Sequence, residues 1–96
     1  MNLKEYQQEG DRWAQQFNPP YFPKFEKTTR LAEECGEVAK ALSRLYGFRR
    51  DKDADVQQLK NELGDELADE IFTCFCIAND EGLTDLDRIW EGENKA

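Results

Sequence analysis

Apolar residues recur along this chain at helical spacing, and nowhere do they alternate as a strand requires. Leu3, Tyr6, Gly10, Trp13, Ala14 and Phe17 predict an amphipathic helix over residues 3–17, stopped by Asn18-Pro19-Pro20. Residues 18–26 read as a connector rich in proline and aromatics (Tyr21, Phe22, Phe25). A second helix is predicted from about Lys27 to Tyr46, with Gly47 as its stop and Leu31, Cys35, Val38, Leu42 and Leu45 as its apolar stripe. Residues 47–54 carry Arg49, Arg50, Asp51, Lys52 and Asp53 and read as an exposed loop. A third helix is predicted from about Asp55 to Asn79, with Gly82 ending the turn after it. Its stripe is Leu63, Leu67, Ile71, Cys74, Phe75 and Ala78. Thr84 is the expected N-cap of a last short helix carrying Leu86, Ile89 and Trp90, and residues 91–96 are expected to fray.

The pattern from Ile71 to Ala78 is apolar nearly all round, with Phe72, Cys76 and Ile77 off the main stripe. A helix of that kind must be covered on several sides. A 96-residue chain has little material to do so, which predicts oligomerisation with Phe72 near an interface. No repeat and no linker interrupts the pattern, so residues 1–96 read as one all-α domain, a small helical bundle completed by other copies.

Composition narrows the chemistry. The formal net charge is −8, which argues against binding the backbone of a nucleic-acid polymer but not against nucleotides, since a bound cation reverses the local sign. The chain has no histidine, which removes His–carboxylate zinc sites, Ser-His-Asp triads and a histidine base. Cys35, Cys74 and Cys76 lie in helical apolar segments and read as reduced thiols of a cytoplasmic protein. A Cys-x-Cys metal site lacks further soft ligands nearby. No apolar run approaches a membrane span, and the amino terminus has no signal-peptide pattern.

Two helical segments then stand out: Glu34-Cys35-Gly36-Glu37 and Glu66-Leu67-Ala68-Asp69. Residues three apart share a helix face. At about 100° per residue, each pair lies roughly 60° and 120° to one side of its stripe's centre. If the stripes pack together, both flanks border one groove, the geometry of a metal site between facing helices. Four carboxylates brought together repel, and a hard divalent cation such as Mg²⁺ relieves this; Mg²⁺ usually keeps waters and binds substrate phosphates. The plainer reading is a solvated acidic face, because E-x-x-E arises by chance in any acidic chain. Glu70 fits neither reading, since it projects near the centre of the third helix's stripe. An outer ligand, an intersubunit partner of a cation, or a wheel off by one position would each account for it.

Arg30-Leu31-Ala32-Glu33-Glu34-Cys35-Gly36-Glu37-Val38 resembles the first signature of the MazG-like nucleoside triphosphate pyrophosphohydrolases. Asp65-Glu66-Leu67-Ala68-Asp69-Glu70-Ile71-Phe72 resembles the second. Glu62-Leu63-Gly64-Asp65 also satisfies E-x-x-D, but the family's second motif runs directly into a long apolar stretch, which favours Glu66 and Asp69. Glu70 departs from the pattern, where an apolar residue is usual. The resemblance implies an all-α fold of four to five helices, assembled as dimers or dimers of dimers. It implies Mg²⁺ or Mn²⁺ bound by Glu34, Glu37, Glu66 and Asp69, and cleavage of a (d)NTP between the α and β phosphates to a monophosphate and pyrophosphate.

On this reading a carboxylate, Glu37 or Glu34, takes the proton of the attacking water. Arg30, on the same flank, is the first candidate among the cations Lys27, Lys40, Arg44, Arg49 and Arg50 for the leaving phosphates; its alternative role is a salt bridge to Glu34. The base stacks on Tyr21 or Phe22, with Trp13, Phe17 and Tyr46 as further candidates. The rival readings are a hydrolase of another phosphoanhydride, such as phosphoribosyl-ATP, and a non-enzymatic acidic helical oligomer.

Overall fold

The computed structural model describes residues 1–21, 23–47, 50 and 52–92, and of Lys24 and Phe25 the backbone only. Phe22, Arg49, Asp51 and the end of the tail therefore lie outside the described residues. Four helices form: α1 Leu3–Ala14, α2 Lys24–Tyr46, α3 Val56–Asp80 and α4 Leu86–Trp90. Among the described residues no strand occurs.

Local chemistry sets most of the boundaries. Asn2 and Glu5 make a capping box at the start of α1, with Asn2 accepting from the Glu5 amide at 2.9 Å and Glu5 from the Asn2 amide at 3.3 Å. The helix stops at Ala14 rather than running to 17. The Gln16 and Phe17 amides turn back to the Trp13 and Ala14 carbonyls at 3.3 and 3.0 Å, a tightened last turn before the prolines. The start of α2 lies at Lys24, ahead of the expected Lys27, because Pro23 supplies a carbonyl to the Glu26 and Lys27 amides. Asp55 caps α3 through the Gln57 amide at 2.9 Å. After α3, Gly82 takes a positive φ of 79° and the Leu83 amide reaches the Ala78 carbonyl at 2.8 Å. Asp85, not Thr84, caps α4 through the Arg88 amide at 3.3 Å; a carboxylate there also complements the helix dipole.

Three cross-pairs show that α2 and α3 run antiparallel: Lys27 meets Asp80, Cys35 meets Glu70, and Arg44 meets Glu62. Leu45 and Leu59 are buried at the loop end of this hairpin, and Thr73 and Ala78 toward its other end. The hairpin is rotated relative to the packing expected from the stripes. Glu34, on the acidic flank, is only 6 % exposed, whereas the stripe residues Leu42, Leu67 and Ile71 are 43 %, 43 % and 54 % exposed. The middle of each apolar stripe is thus left uncovered, while Leu45 and Ala78 at the stripes' ends are buried. Glu70, near the centre of the α3 stripe, accepts the Cys35 thiol at 2.6 Å. This bond, followed by partial desolvation and the Glu70 charge, holds the Cys35 thiol above its usual range.

Another face of α3 is covered by α1. Phe72 packs edge to face on Trp13, with ring centres 5.3 Å apart, and a Cβ built on Gly10 would lie 3.5 Å from the Phe72 ring. Tyr6 stacks parallel to Phe75. Phe72, expected at an interface between copies, is therefore partly covered by its own chain, because α1 supplies the aromatic partner that the third helix's periodicity leaves unnamed. Gln7 is fully buried and satisfied: its amide donates to Asn79 Oδ1 (3.1 Å) and the Leu83 carbonyl (2.8 Å) and accepts from the Leu86 amide (2.9 Å). Asp87 of α4 accepts the first two amides of α1, Leu3 at 3.1 Å and Lys4 at 2.9 Å.

Leu59 is 3 % exposed at the loop end of the hairpin, beside the start of α3. Leu59→Ala is expected to cost about 2–4 kcal/mol, a leucine cavity with little material around it to collapse. A urea melt checks this; a change within about 0.5 kcal/mol, the range of surface substitutions, would contradict the packing described.

Candidate active site

Glu34 is the one buried carboxylate among the described residues. A buried carboxylate needs a partner. Arg30, one helical turn earlier, provides it: Nη2 lies 2.9 Å from Glu34 Oε1, while Nη1 reaches the exposed Glu33 at 3.7 Å. From α3, Glu66 and Asp69 face the same space, as residues three apart on a helix must. One carboxylate oxygen from each of Glu34, Glu66 and Asp69 lies within 4.8 Å of the others. Thr73 donates to the Asp69 carbonyl at 3.0 Å, closing the next turn behind the group.

Glu37 is exposed and stands outside this group of three, yet its charge is felt there. Partial burial, then the charges of Glu37, Asp69, Glu34 and Asp65, raise the Glu66 carboxyl above its ordinary value. The competing register is used otherwise, since Glu62 binds Arg44 Nη1 at 2.7 Å and Asp65 is exposed. All donors in the group are hard carboxylate oxygens with no thiol or imidazole among them, a set that suits Mg²⁺ or Mn²⁺ better than zinc.

Beside the carboxylates lies a cavity of about 570 Å³ between the end of α1, the connector, the start of α2 and the second half of α3. Trp13, Phe17, Tyr21 and Phe72 supply its aromatic walls, and Arg30 lines it too, so one guanidinium borders both cavity and carboxylates. Lys27 also lines it but is engaged by Asp80 and, at 2.6 Å, by Glu81. The Tyr21 hydroxyl donates to Asp11; burial first, then that bond, push the phenol well above its usual range. Tyr46, also weighed as a platform, is largely exposed and does not line the cavity. Cys76 and Ile77, expected between copies, line it with Phe72. Sequence reasoning missed Phe72 as a wall, although a signal existed: Phe72 and Thr73 follow Asp69 by three and four residues and so share its face.

The profile of the MazG nucleotide pyrophosphohydrolase domain matches residues 25–92, a stretch that contains α3, α4, nearly all of α2 and Glu34, Glu37, Glu66 and Asp69. The uncharacterized protein YpjD of Bacillus subtilis (strain 168) is 36 % identical over 78 residues, covering 80 % of this chain and 67 % of that protein. No solved structure matches. With the matched stretch spanning most of the chain, this protein belongs to the MazG nucleotide pyrophosphohydrolase domain family.

Proposed function

We propose that the chain is a single-domain, divalent-cation-dependent (d)NTP pyrophosphohydrolase that cleaves between the α and β phosphates, releasing a nucleoside monophosphate and pyrophosphate. The observation that carries this is the convergence of Glu34, Glu66 and Asp69 beside an aromatic cavity, with Arg30 common to both. Glu34, Glu37, Glu66 and Asp69 would hold Mg²⁺ or Mn²⁺. Such an ion, when bound, offsets charge on the phosphate oxygens and lowers the pKa of a coordinated water. Arg30 donates to phosphate oxygens entering between cavity and carboxylates. Glu37, outside the tight group, is the candidate proton acceptor for the attacking water in a chain without histidine. Tyr21, with Trp13 and Phe17, gives the base a surface to stack on.

The open apolar stripe of Leu42, Leu67 and Ile71 supports a homodimer or homotetramer, which would bury it. Among the described residues no helix is long and apolar enough to cross a membrane. Together with thiols that remain unpaired, this favours the cytoplasm. The test is pyrophosphate release from a panel of ribo- and deoxynucleoside triphosphates and phosphoribosyl-ATP, with Mg²⁺, with Mn²⁺ and with EDTA. Release from (d)NTPs that EDTA abolishes is the expected result. Cleavage of phosphoribosyl-ATP alone, or of nothing, overturns the proposal.

Cation binding has its own readout. A ligand that binds the folded chain alone, at about a hundred times its Kd, adds about 2.7 kcal/mol of stability. For a chain of this length that is on the order of 10–20 °C in Tm. Melts in saturating Mg²⁺ or Mn²⁺ against EDTA should show a rise of this order, and its absence would count against a cation among the carboxylates.

A further inference from the structure

The connector between α1 and α2 forms one side of the cavity, and its backbone has few means of holding a position. Pro19, Pro20 and Pro23 have no N–H to donate. Among the described residues, the last backbone bonds of α1 end with the Phe17 amide, and those of α2 begin with the amide of Glu26. Among them, too, the side chain of Tyr21 ties the middle of this segment to the helices. The Tyr21 hydroxyl donates to Asp11 Oδ1, in the last turn of α1. That oxygen also accepts Gln15 Nε2 at 3.1 Å. Asn79 of α3 lies close enough to the same phenol to oppose the upward push on it, and is itself fixed on Gln7 by a bond to the Gln7 carbonyl at 3.0 Å. The phenol therefore sits where α1, α3 and the connector meet. Asp11 does not line the cavity, whereas Tyr21 does, along with Pro19, Pro20 and Pro23.

We propose that Asp11 is a positioning residue for substrate recognition: by accepting the Tyr21 hydroxyl it holds the connector against α1 and sets the width of the cavity that receives the nucleoside. This rests on the pyrophosphohydrolase reading above. Asp11 touches neither phosphates nor reacting atoms, so its loss acts on binding and leaves the chemical step alone. A hydrogen bond to a charged acceptor that holds a binding surface in place is worth roughly a tenfold change in affinity.

The experiment compares Asp11→Ala, Asp11→Asn, Tyr21→Phe and the Asp11→Ala/Tyr21→Phe double variant with the wild type. It uses Mg²⁺-supported nucleotide hydrolysis and amide hydrogen exchange over residues 15–21. Asp11→Ala and Tyr21→Phe should each raise KM roughly tenfold with kcat within about twofold, the signature of lost binding. The double variant should be no worse than either single one, because both remove the same bond. Asn retains an acceptor oxygen, so Asp11→Asn should recover most of the wild-type KM. Exchange at the Gln16 and Phe17 amides, which lead into the connector, should quicken in Asp11→Ala and in Tyr21→Phe. Faster exchange with unchanged KM would reduce Asp11 to a purely structural role and overturn the proposal. So would additive losses in the double variant, a fall in kcat at constant KM, or Asn behaving like Ala. A wild-type chain that hydrolyses no nucleotide sinks the functional reading and this role with it. Wild-type turnover with an indifferent Asp11 sinks this role alone.

Discussion

Glu66→Gln should lower pyrophosphate release by at least about a hundredfold, the order seen when a preorganised charge-stabilising group is removed. The same change should raise the melting temperature in EDTA. The two effects share one cause. Glu66 is the group in the acidic cluster whose carboxyl is raised, by partial burial and by the charges of Glu37, Asp69, Glu34 and Asp65. A carboxyl whose folded-state pKa lies above its unfolded value binds protons more readily when folded. Its ionised form therefore destabilises the fold. The penalty is absent below the unfolded pKa, grows as pH rises through the window between the two values, and is complete above the folded one. Glutamine removes it and removes an oxygen ligand at the same time. In EDTA the wild type should lose stability relative to Glu66→Gln as pH climbs out of the ordinary carboxylate range. In Mg²⁺ the wild type should gain and the variant should gain less. Glu33→Ala serves as the control, because Glu33 is exposed and touches Arg30 only at 3.7 Å. Its turnover should stay within about twofold of wild type, as for most weak surface pairs. A Glu66→Gln enzyme with wild-type turnover would remove Glu66 from the site.

Ile71→Glu should convert the proposed homo-oligomer to monomers at micromolar concentration and carry activity down with it. Ile71 is the most exposed large apolar residue of the stripe on α3, and Leu67, one turn before it, and Leu42 on α2 are exposed as well. Burying each such side chain is worth about 1.5–3 kcal/mol. A two-fold contact places every substitution in the interface twice, and there the carboxylate has no cation to meet among the stripe residues. Phe72→Glu is the informative contrast. Phe72 lies against Trp13 and Gly10 of its own chain, so that change should disturb the cavity and lower stability. Light scattering distinguishes them. A wild-type protein that is already monomeric at micromolar concentration refutes the interface, and an Ile71→Glu protein with unchanged mass moves it elsewhere.

The contrast between Ile71 and Phe72 also shows where sequence reasoning stops. Helix number and order were legible, since each helix carries its own stripe and is bracketed by Asn, Asp, Gly or Pro. The pairing of Glu34 with Glu66 and Asp69 was legible as well, because spacing by three on consecutive helices leaves few other meeting places. The rotation of the hairpin was not. Periodicity names the apolar face of a helix but not what covers it, and a stripe waiting for another copy looks the same as one facing a neighbour in the same chain. Hence Leu42, Leu67 and Ile71, expected between α2 and α3, turned out to be exposed, while Glu34 of the acidic flank turned inward. Helix ends failed where two residues compete for one task. Thr84 and Asp85 are both good caps, and only the register of the Arg88 amide decides between them. Lys27 illustrates the same limit for function, because nothing local to α2 reveals that Asp80 and Glu81 engage it.

The bonds from Asp87 to the first amides of α1 make a clasp between residues 3–4 and residue 87, with Lys4 and Asp85 4.0 Å apart beside it. In mechanical terms this clasp is a short circuit. Tension applied across the two ends passes through it directly and bypasses everything threaded between. The hairpin carrying Glu34, Glu66 and Asp69 bears load only after the clasp has opened. Pulling at the ends thus strips α1 and α4 first, and with α1 the aromatic roof of the cavity, while the carboxylates are still held together.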